Sequence, residues 1–341
     1  MRGLQVDFGG DAGAGALDFL SLAAQAEEDG FDGIGASETR HDPFITLAVA
    51  ARETSTIELQ SVIAVAFARS PMTVAQAGWD LQALSRGRFA LGLGSQVQAH
   101  IEKRFSMPWS RPAARMAEFV RAVRAVWTAW ETGERLAFRG EFYSHTLMTP
   151  FFTPEPLGGP TPPIWLAAVG PRMTEVAGEV ADGLHVHPFT TARYLGEVSL
   201  PALRRGAEAA SRDAAGIGVA LPALVAIGED PEALDAAIAA TRRQIAFYGS
   251  TPAYRPVLAL HGWEALHERL NGAARRGEWD TMGDLVPDEV LAEFAAVGSA
   301  AEVAAQLRDR FDGLVSRISF SSNVPLDREA LRALLAGLRT G

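Results

Sequence analysis

Cysteine is absent from the 341 residues, which excludes disulfides, thiolate nucleophiles, zinc ribbons and cysteine-held iron-sulfur clusters together. Redox chemistry in such a chain needs a bound organic cofactor. Lysine is almost absent: Lys103 stands alone, so Schiff-base chemistry has a single candidate and positive charge is nearly all arginine. Positive charge is itself in deficit. Lys plus Arg number 31 against 41 Asp plus Glu, a formal net charge of -10, which argues against the basic footprint that nonspecific nucleic-acid binding requires. No apolar run reaches eighteen residues, so no membrane-spanning helix is expected. The opening MRGLQVDFGG lacks the charged and apolar regions of a signal peptide, and the expected location is the cytoplasm.

What is present is an ordinary globular composition, 48% hydrophobic and 21% charged. Length alone suggests about two domains of ~150 residues, but α/β barrels of this size form one domain, so topology decides. Short apolar or β-branched runs alternate with helical stretches eight times, with strands near 4–8, 33–37, 57–65, 88–94, 163–169, 182–187, 218–227 and 315–321. Between them, Leu17, Leu20 and Ala24, or Phe119, Val123, Val126 and Trp127, repeat at helical spacing with one apolar face. Runs such as IWLAAV and GRFALGLG are apolar on both sides, as parallel strands covered by helices should be. The expected fold class is therefore α/β, a (β/α)8 TIM barrel forming one domain over 1–341. Two segments exceed a minimal barrel, 131–162 after the fourth strand and 249–297 after the seventh, and both read as insertions. Tyr254, Trp263 and Trp279 in the second are candidate substrate walls; the Pro-rich TPEPLGGPTPP in the first reads equally well as a linker.

In a TIM barrel the site lies at the carboxyl ends of the strands. The second strand ends GASETRHDPF with Glu38 and His41, the fourth LGLGSQVQAH with Ser95, Gln96 and His100, and the sixth DGLHVHPF with His185 and His187 on one face. Glu38 suits orientation or proton acceptance, and histidines donate protons near neutral pH; the alternative is that Glu38 pairs with Arg40 or another loop arginine. His185 and His187 also match the His-x-His pair of barrel metallohydrolases, but the further ligands that chemistry needs are missing from the eighth strand end, ISFSSN, and no metal is expected. After the fifth strand, AAVGPRMTEV breaks at Gly170 and Pro171 and opens a helix whose free N–H groups, with Arg172, make a candidate anion site. LGLGSQV lacks the third glycine of a dinucleotide fingerprint, which excludes a Rossmann reading.

Taken in order, AEEDGFDGIGASE, SVIAVAFARSPMTVAQAGWDLQALSRGRFALGLGSQ, RPAARMAEFVRAVRAVW, PIWLAAVGPRMTEVAGEVADGLHV and VGSAAEVAAQLRDRFDG resemble the bacterial-luciferase-like superfamily of flavin- and deazaflavin-dependent oxidoreductases over nearly the whole chain. The stretch SVIAVAFARSPMTVAQ is most similar to the branch that uses coenzyme F420. The resemblance implies a deazaflavin ring over the carboxyl ends of the strands, backed by a bulge with a non-proline cis peptide at the position of Ser61–Val62. It also implies that Ser95 contacts the cofactor, that Ala168, Val169, Gly170 and Pro171 hold its phosphate, and that His187 lies near the ring or side chain. Glu38 stands where many relatives have Asp.

Departures matter. Relatives that oxidise a sugar phosphate carry Asp-His where this chain has Glu38-Thr39, a Gly-Glu pair where it has Gln96-Val97, and phosphate-binding lysines that it lacks. Sugar-phosphate oxidation is therefore not expected, and His41 and His100 become the proton-transfer candidates. Phe67, Trp109, Phe142 and Tyr143 are either an apolar substrate wall or packing. An arginine patch near Arg172 or Arg193 is expected to receive the polyglutamate tail of F420. Competing readings are an FMN-dependent monooxygenase on the same fold and a barrel that binds a flavin without turnover. A small-molecule substrate and, by analogy, a homodimer complete the expectation.

Overall fold

The computed structural model describes residues 3–9 and 14–339. The fold class is α/β, with eight parallel strands closing a TIM-type barrel. Among the described residues the chain divides into two compact units, one of residues 14–185 with 202–218, the other of residues 3–9, 186–201 and 219–339.

In the first unit the strands Gly33–Ala36, Glu58–Ser61, Phe89–Gly94, Ile164–Ala168 and Gly183–Val186 are successive neighbours. All six residues of Phe89–Gly94 are buried, because helices cover one side and the barrel interior the other. The helix Pro112–Thr132 buries Met116, Phe119, Val120, Val123, Val126, Trp127 and Trp130, the three-and-four spacing read from the sequence. Trp127 donates its indole N–H to the Ala75 carbonyl at 2.9 Å, and a Cβ added at Gly78 would stand 2.9 Å from its ring. Glycine there lets the helix Pro71–Leu84 approach Pro112–Thr132 closely.

The 131–162 segment contains a short antiparallel pair, Phe138–Arg139 with Ser144–His145. Its Pro-rich part is fastened rather than loose: Glu131 accepts from the Leu157 and Gly158 amides, Trp79 donates to the Glu155 carbonyl, and Gln82 donates to the Pro160 carbonyl. Each of these groups would otherwise lose a partner on leaving water, so the strap is held by satisfied hydrogen bonds.

In the second unit Gln5–Phe8 pairs with Arg317–Ser321, which pairs with Gly218–Ile227. A further parallel strand, Ala295–Gly298, adds to residues 224–227. It lies at the end of the predicted insertion and was not read from the sequence: AAVG is short, alanine-rich and weak in β-propensity, and pairing gives it its form. The 249–297 segment carries its own apolar cluster, in which Val257, Leu258, Leu266, Leu270, Met282 and Val290 pack with Phe189 and Phe294. Phe189 stacks on Phe294 with centroids 4.4 Å apart.

Candidate active site

The third barrel strand does not run unbroken over 57–65. It spans Glu58–Ser61, interrupts, and resumes at Ala64–Val65. The non-proline cis bond expected at Ser61–Val62 is at Val62–Ile63 instead. Ser61 is still part of the ladder, opposite Ala36, and its hydroxyl donates to the Gly92 carbonyl at 2.8 Å and accepts from the Gly92 amide at 2.9 Å. The irregular bond therefore falls one residue later. The Ser61 hydroxyl is spent inside the sheet.

Glycines make room for this bulge. A Cβ at Gly35 would stand 2.3 Å from Val62 Cγ2, at Gly94 2.7 Å from Ile63 Cδ1, and at Gly92 1.9 Å from the Ser61 carbonyl oxygen. Backbone bonds fix the bulge as well: the Val62 amide donates to the Ala36 carbonyl at 2.8 Å, and the Ser37 hydroxyl donates to the Val62 carbonyl at 2.7 Å.

Glu38 is turned toward the bulge. Its Oε2 accepts from the Val65 amide at 2.7 Å and from Arg69 Nη1 at 2.5 Å, with the carboxyl side chain only 7% exposed. Arg69 bridges onward to Asp42 at 2.7 Å, and Asp42 caps the helix Pro43–Glu53 through the Phe44 and Ile45 amides. Burial works against the Arg69 charge, but hydrogen bonds and charge from Glu38 and Asp42 outweigh it and raise the pKa further. The arginine partner is thus not Arg40 but another loop arginine, the alternative that the sequence left open. Arg69 was missed in the sequence because 31 residues and a bulge separate it from Glu38.

The other proposed proton-transfer residues, His41 and His100, are both exposed. His100 lies on the helix Gln98–Lys103, and neither ring bonds to Glu38. Ser95 donates to the Gln96 carbonyl at 3.1 Å. Gln96 adopts a left-handed φ of 60°, turning the chain sharply off the fourth barrel strand.

Gly170 is the N-cap of the helix Pro171–Val180 and no side chain caps it. A Cβ at Gly170 would meet nothing within 4 Å, so the space beside this N-cap residue is open. Arg172 pairs with Glu175 at 3.1 Å, and Glu175 also takes Arg205 at 3.2 Å, which leaves two arginines around one carboxylate. Those arginines, the Arg172 hydrogen bond foremost, hold the Glu175 pKa below the usual carboxylate value.

Phe67 and Tyr143 gather around a residue not singled out from the sequence, Arg115. Its guanidinium carbon lies 4.4 Å above the Phe67 ring and 5.6 Å from the Tyr143 ring; Nε donates to the Tyr143 hydroxyl at 2.8 Å and Nη1 to the Pro108 carbonyl at 2.7 Å. Trp109 meets Phe67 edge-on at 5.7 Å. Phe142 stands apart, under Arg111 at 4.8 Å. The available signal was a charged residue inside the apolar stripe of the helix Pro112–Thr132, where Arg115 is 6% exposed.

In the other unit, His187 accepts from the Phe189 amide at Nδ1 (3.0 Å) and bonds through Nε2 to the Tyr254 hydroxyl (2.9 Å). His185, against Trp165 at 5.2 Å, has different surroundings. Among the described residues no group of three or more histidine, aspartate or glutamate side chains is arranged to hold a metal ion.

A family profile described as luciferase-like monooxygenase matches residues 5–317. The chain belongs to the luciferase-like monooxygenase family, a family of flavin- and F420-dependent oxidoreductases. Within it, the chain is 55% identical over 303 residues to an uncharacterized protein of Mycobacterium tuberculosis, covering 88% of this chain and 89% of that one. It is 32% identical over 211 residues to an F420-dependent glucose-6-phosphate dehydrogenase of Nakamurella multipartita, covering 58% and 60%. Among solved structures, the coenzyme F420 dependent tetrahydromethanopterin reductase from Methanopyrus kandleri superposes with a TM-score of 0.80 at 22% identity, covering 98% of this chain and 97% of that one. No helix among the described residues of this luciferase-like chain is long and apolar enough to cross a membrane.

Proposed function

We propose that this luciferase-like protein is an F420-dependent oxidoreductase that exchanges a hydride with a small organic substrate. The reading is supported by the helix opening at Gly170, which no side chain caps and beside which a Cβ would meet nothing within 4 Å, an arrangement that suits a phosphate. It is supported further by the relative of Nakamurella multipartita, an F420-dependent enzyme by name.

Ala168, Val169, Gly170, Pro171 and Arg172 would hold the cofactor phosphate. Val62 and Ile63 would back the ring, since Gly35, Gly92 and Gly94 admit the bulge that presents them. A bound deazaflavin supplies hydride transfer. Glu38 acts by anchoring the bulge through the Val65 amide, and Arg69 holds Glu38 in that pose. Phe67 and Tyr143, locked by Arg115, and Trp109, edge-on to Phe67, form an apolar wall that excludes water.

Titration of the purified protein with F420 and with FMN, followed by fluorescence, tests the reading. F420 is expected to bind at micromolar concentration or tighter and FMN at least about ten times more weakly, a gap of about 1.4 kcal/mol. The reverse order rejects the cofactor assignment in favour of the FMN-dependent monooxygenase.

A further inference from the structure

Arg115 is a cation without an anion. It closes the first turn of the helix Pro112–Thr132, which has no acidic residue in that turn, and only 6% of it is exposed. An arginine is seldom buried this far unless an opposite charge meets it, because a cation that leaves water loses its hydration. Among the described residues no carboxylate oxygen comes within 4.0 Å of the Arg115 guanidinium. Glu118, the acid one turn further on, spends both oxygens on the amides of Glu141, Phe142 and Tyr143. The helix dipole, positive at this end, adds to the Arg115 charge and does not offset it.

A guanidinium carries five N–H donors in a planar fork, and two are used here. Nε donates to Tyr143 Oη and Nη1 to the Pro108 carbonyl, which fixes the plane between the Phe67 and Tyr143 rings. Nη2 has no acceptor within the chain, and it is not among the polar atoms sealed from solvent without a partner, so it meets solvent. One Nη2–H runs parallel to Nε–H, so an oxygen accepting from it lies beside Tyr143 Oη. That hydroxyl accepts from Nε, and its own proton has no acceptor within the chain. Burial pushes the Tyr143 pKa up, against the Arg115 hydrogen bond, so the proton stays on. Two uncommitted donors, one of them charged, therefore serve one point. Phe67 belongs to the turn Ala66–Ala68, directly after the strand Ala64–Val65 and the bulge, in the same compact unit as Gly170.

We propose that Arg115 Nη2 and the Tyr143 hydroxyl bind a carboxylate of the substrate, so that the substrate class is organic acids. The inference rests on the F420 reading for the redox chemistry alone; the carboxylate subsite is made of this chain's own residues. A carboxylate matches the donors: it supplies the missing negative charge to Nη2 and a second acceptor to the phenol. A neutral amide offers acceptors without the charge and leaves the buried cation as it was. Arginine suits the place better than lysine, because its fork lets Nε and Nη1 hold the fold while Nη2 faces the ligand. Fixing one end of the substrate in this way orients the carbon that exchanges hydride. Arg115 and Tyr143 bind and orient, and neither passes a proton.

The test compares wild type with Arg115→Lys, Arg115→Met and Tyr143→Phe. Each protein, with and without F420, is titrated by calorimetry with acetate, isobutyrate, benzoate and phenylacetate and with the amide of each acid. The guanidinium N–H signals of the 15N-labelled wild type are followed by NMR in the same titrations. At least one acid is expected to bind wild type about tenfold or more tighter than its amide and to move the Arg115 signals. That preference should vanish in Arg115→Met, largely vanish in Arg115→Lys and shrink about threefold in Tyr143→Phe, while F420 affinity stays within about threefold. No acid preferred over its amide in wild type overturns the carboxylate assignment, and F420 binding in the same protein leaves the cofactor reading standing. A preference that survives Arg115→Met also overturns it, as does F420 affinity lost with Arg115, which would assign the donors to the cofactor's phosphate. If Arg115→Met does not fold, an acid that binds wild type without moving the Arg115 signals overturns it. A preferred acid with no F420 binding in wild type overturns the F420 reading alone.

Discussion

Glu38 Oε2 accepts the Val65 amide hydrogen at 2.7 Å, which ties a side chain at the end of one barrel strand to the far side of the bulge in the next. The same oxygen takes Arg69, so removing the carboxylate frees an amide and strands a half-buried guanidinium. Glu38→Ala is expected to destabilise the fold by about 2–4 kcal/mol in urea titration, because breaking a buried ion pair leaves one charge uncompensated. Glu38→Gln, which keeps an acceptor for Val65, should lose less stability and retain F420 binding. A Gln variant of wild-type stability with turnover reduced more than a hundredfold would show instead that Glu38 moves protons.

The glycines around the bulge differ in what they tolerate. Gly92→Ala places a methyl within 1.9 Å of the Ser61 carbonyl oxygen, a backbone atom that cannot yield, and the variant is expected to be insoluble or to lose more than about 3 kcal/mol. Gly170→Asp is the opposite case. A carboxylate at an N-cap whose amides lack a side-chain acceptor should stabilise the protein by about 1 kcal/mol. The same substitution should weaken F420 and FMN binding at least about tenfold, since the new carboxylate would occupy the proposed phosphate position. Calorimetry reads the first effect and fluorescence titration the second.

His187 sets a pH window for stability. Its folded pKa, near 4, lies below the 6.5 of a free imidazole, so between those values the unfolded chain binds the extra proton. This contribution is fully present above pH 6.5 and is lost as pH falls toward 4, on the order of 3 kcal/mol when complete. Urea midpoints measured from pH 4 to 8 should show that slope in wild type and a flatter line in His187→Gln.

Glu118 accepts all three amides of Glu141, Phe142 and Tyr143, at 2.8, 2.7 and 2.6 Å. Glu118→Ala should cost about 1–3 kcal/mol and release this turn. Hydrogen exchange is expected to speed up at those three amides while Leu91 and Leu93, inside the sheet, stay protected.

Much of the barrel was legible because burial on both sides leaves a plain signature: GRFALGLG and IWLAAV are apolar throughout, and the helix after each such strand repeats at three and four. Residue pairings that depend on closure were not. Arg69 meets Glu38 only because the bulge brings the start of the helix Pro71–Leu84 back across the second strand end. Arg115 reads as one polar interruption of an apolar stripe until Phe67 and Tyr143 appear on either side of it. Tyr254 was visible as an aromatic in an insertion; its bond to His187, 67 residues away in the chain, was not. The bulge itself was expected but displaced by one bond, since only the ladder shows that Ser61 still belongs to the strand.

The 249–297 segment buries Leu258, Leu266, Leu270 and Met282 among themselves and beside Phe189. A piece of chain that supplies so much of its own interior can diverge in its exposed polar residues while Leu224, of the strand Gly218–Ile227, stays packed in the same cluster. That gives natural variation, and a protein engineer exchanging those polar residues between homologues, positions to change while the scaffold keeps folding as before.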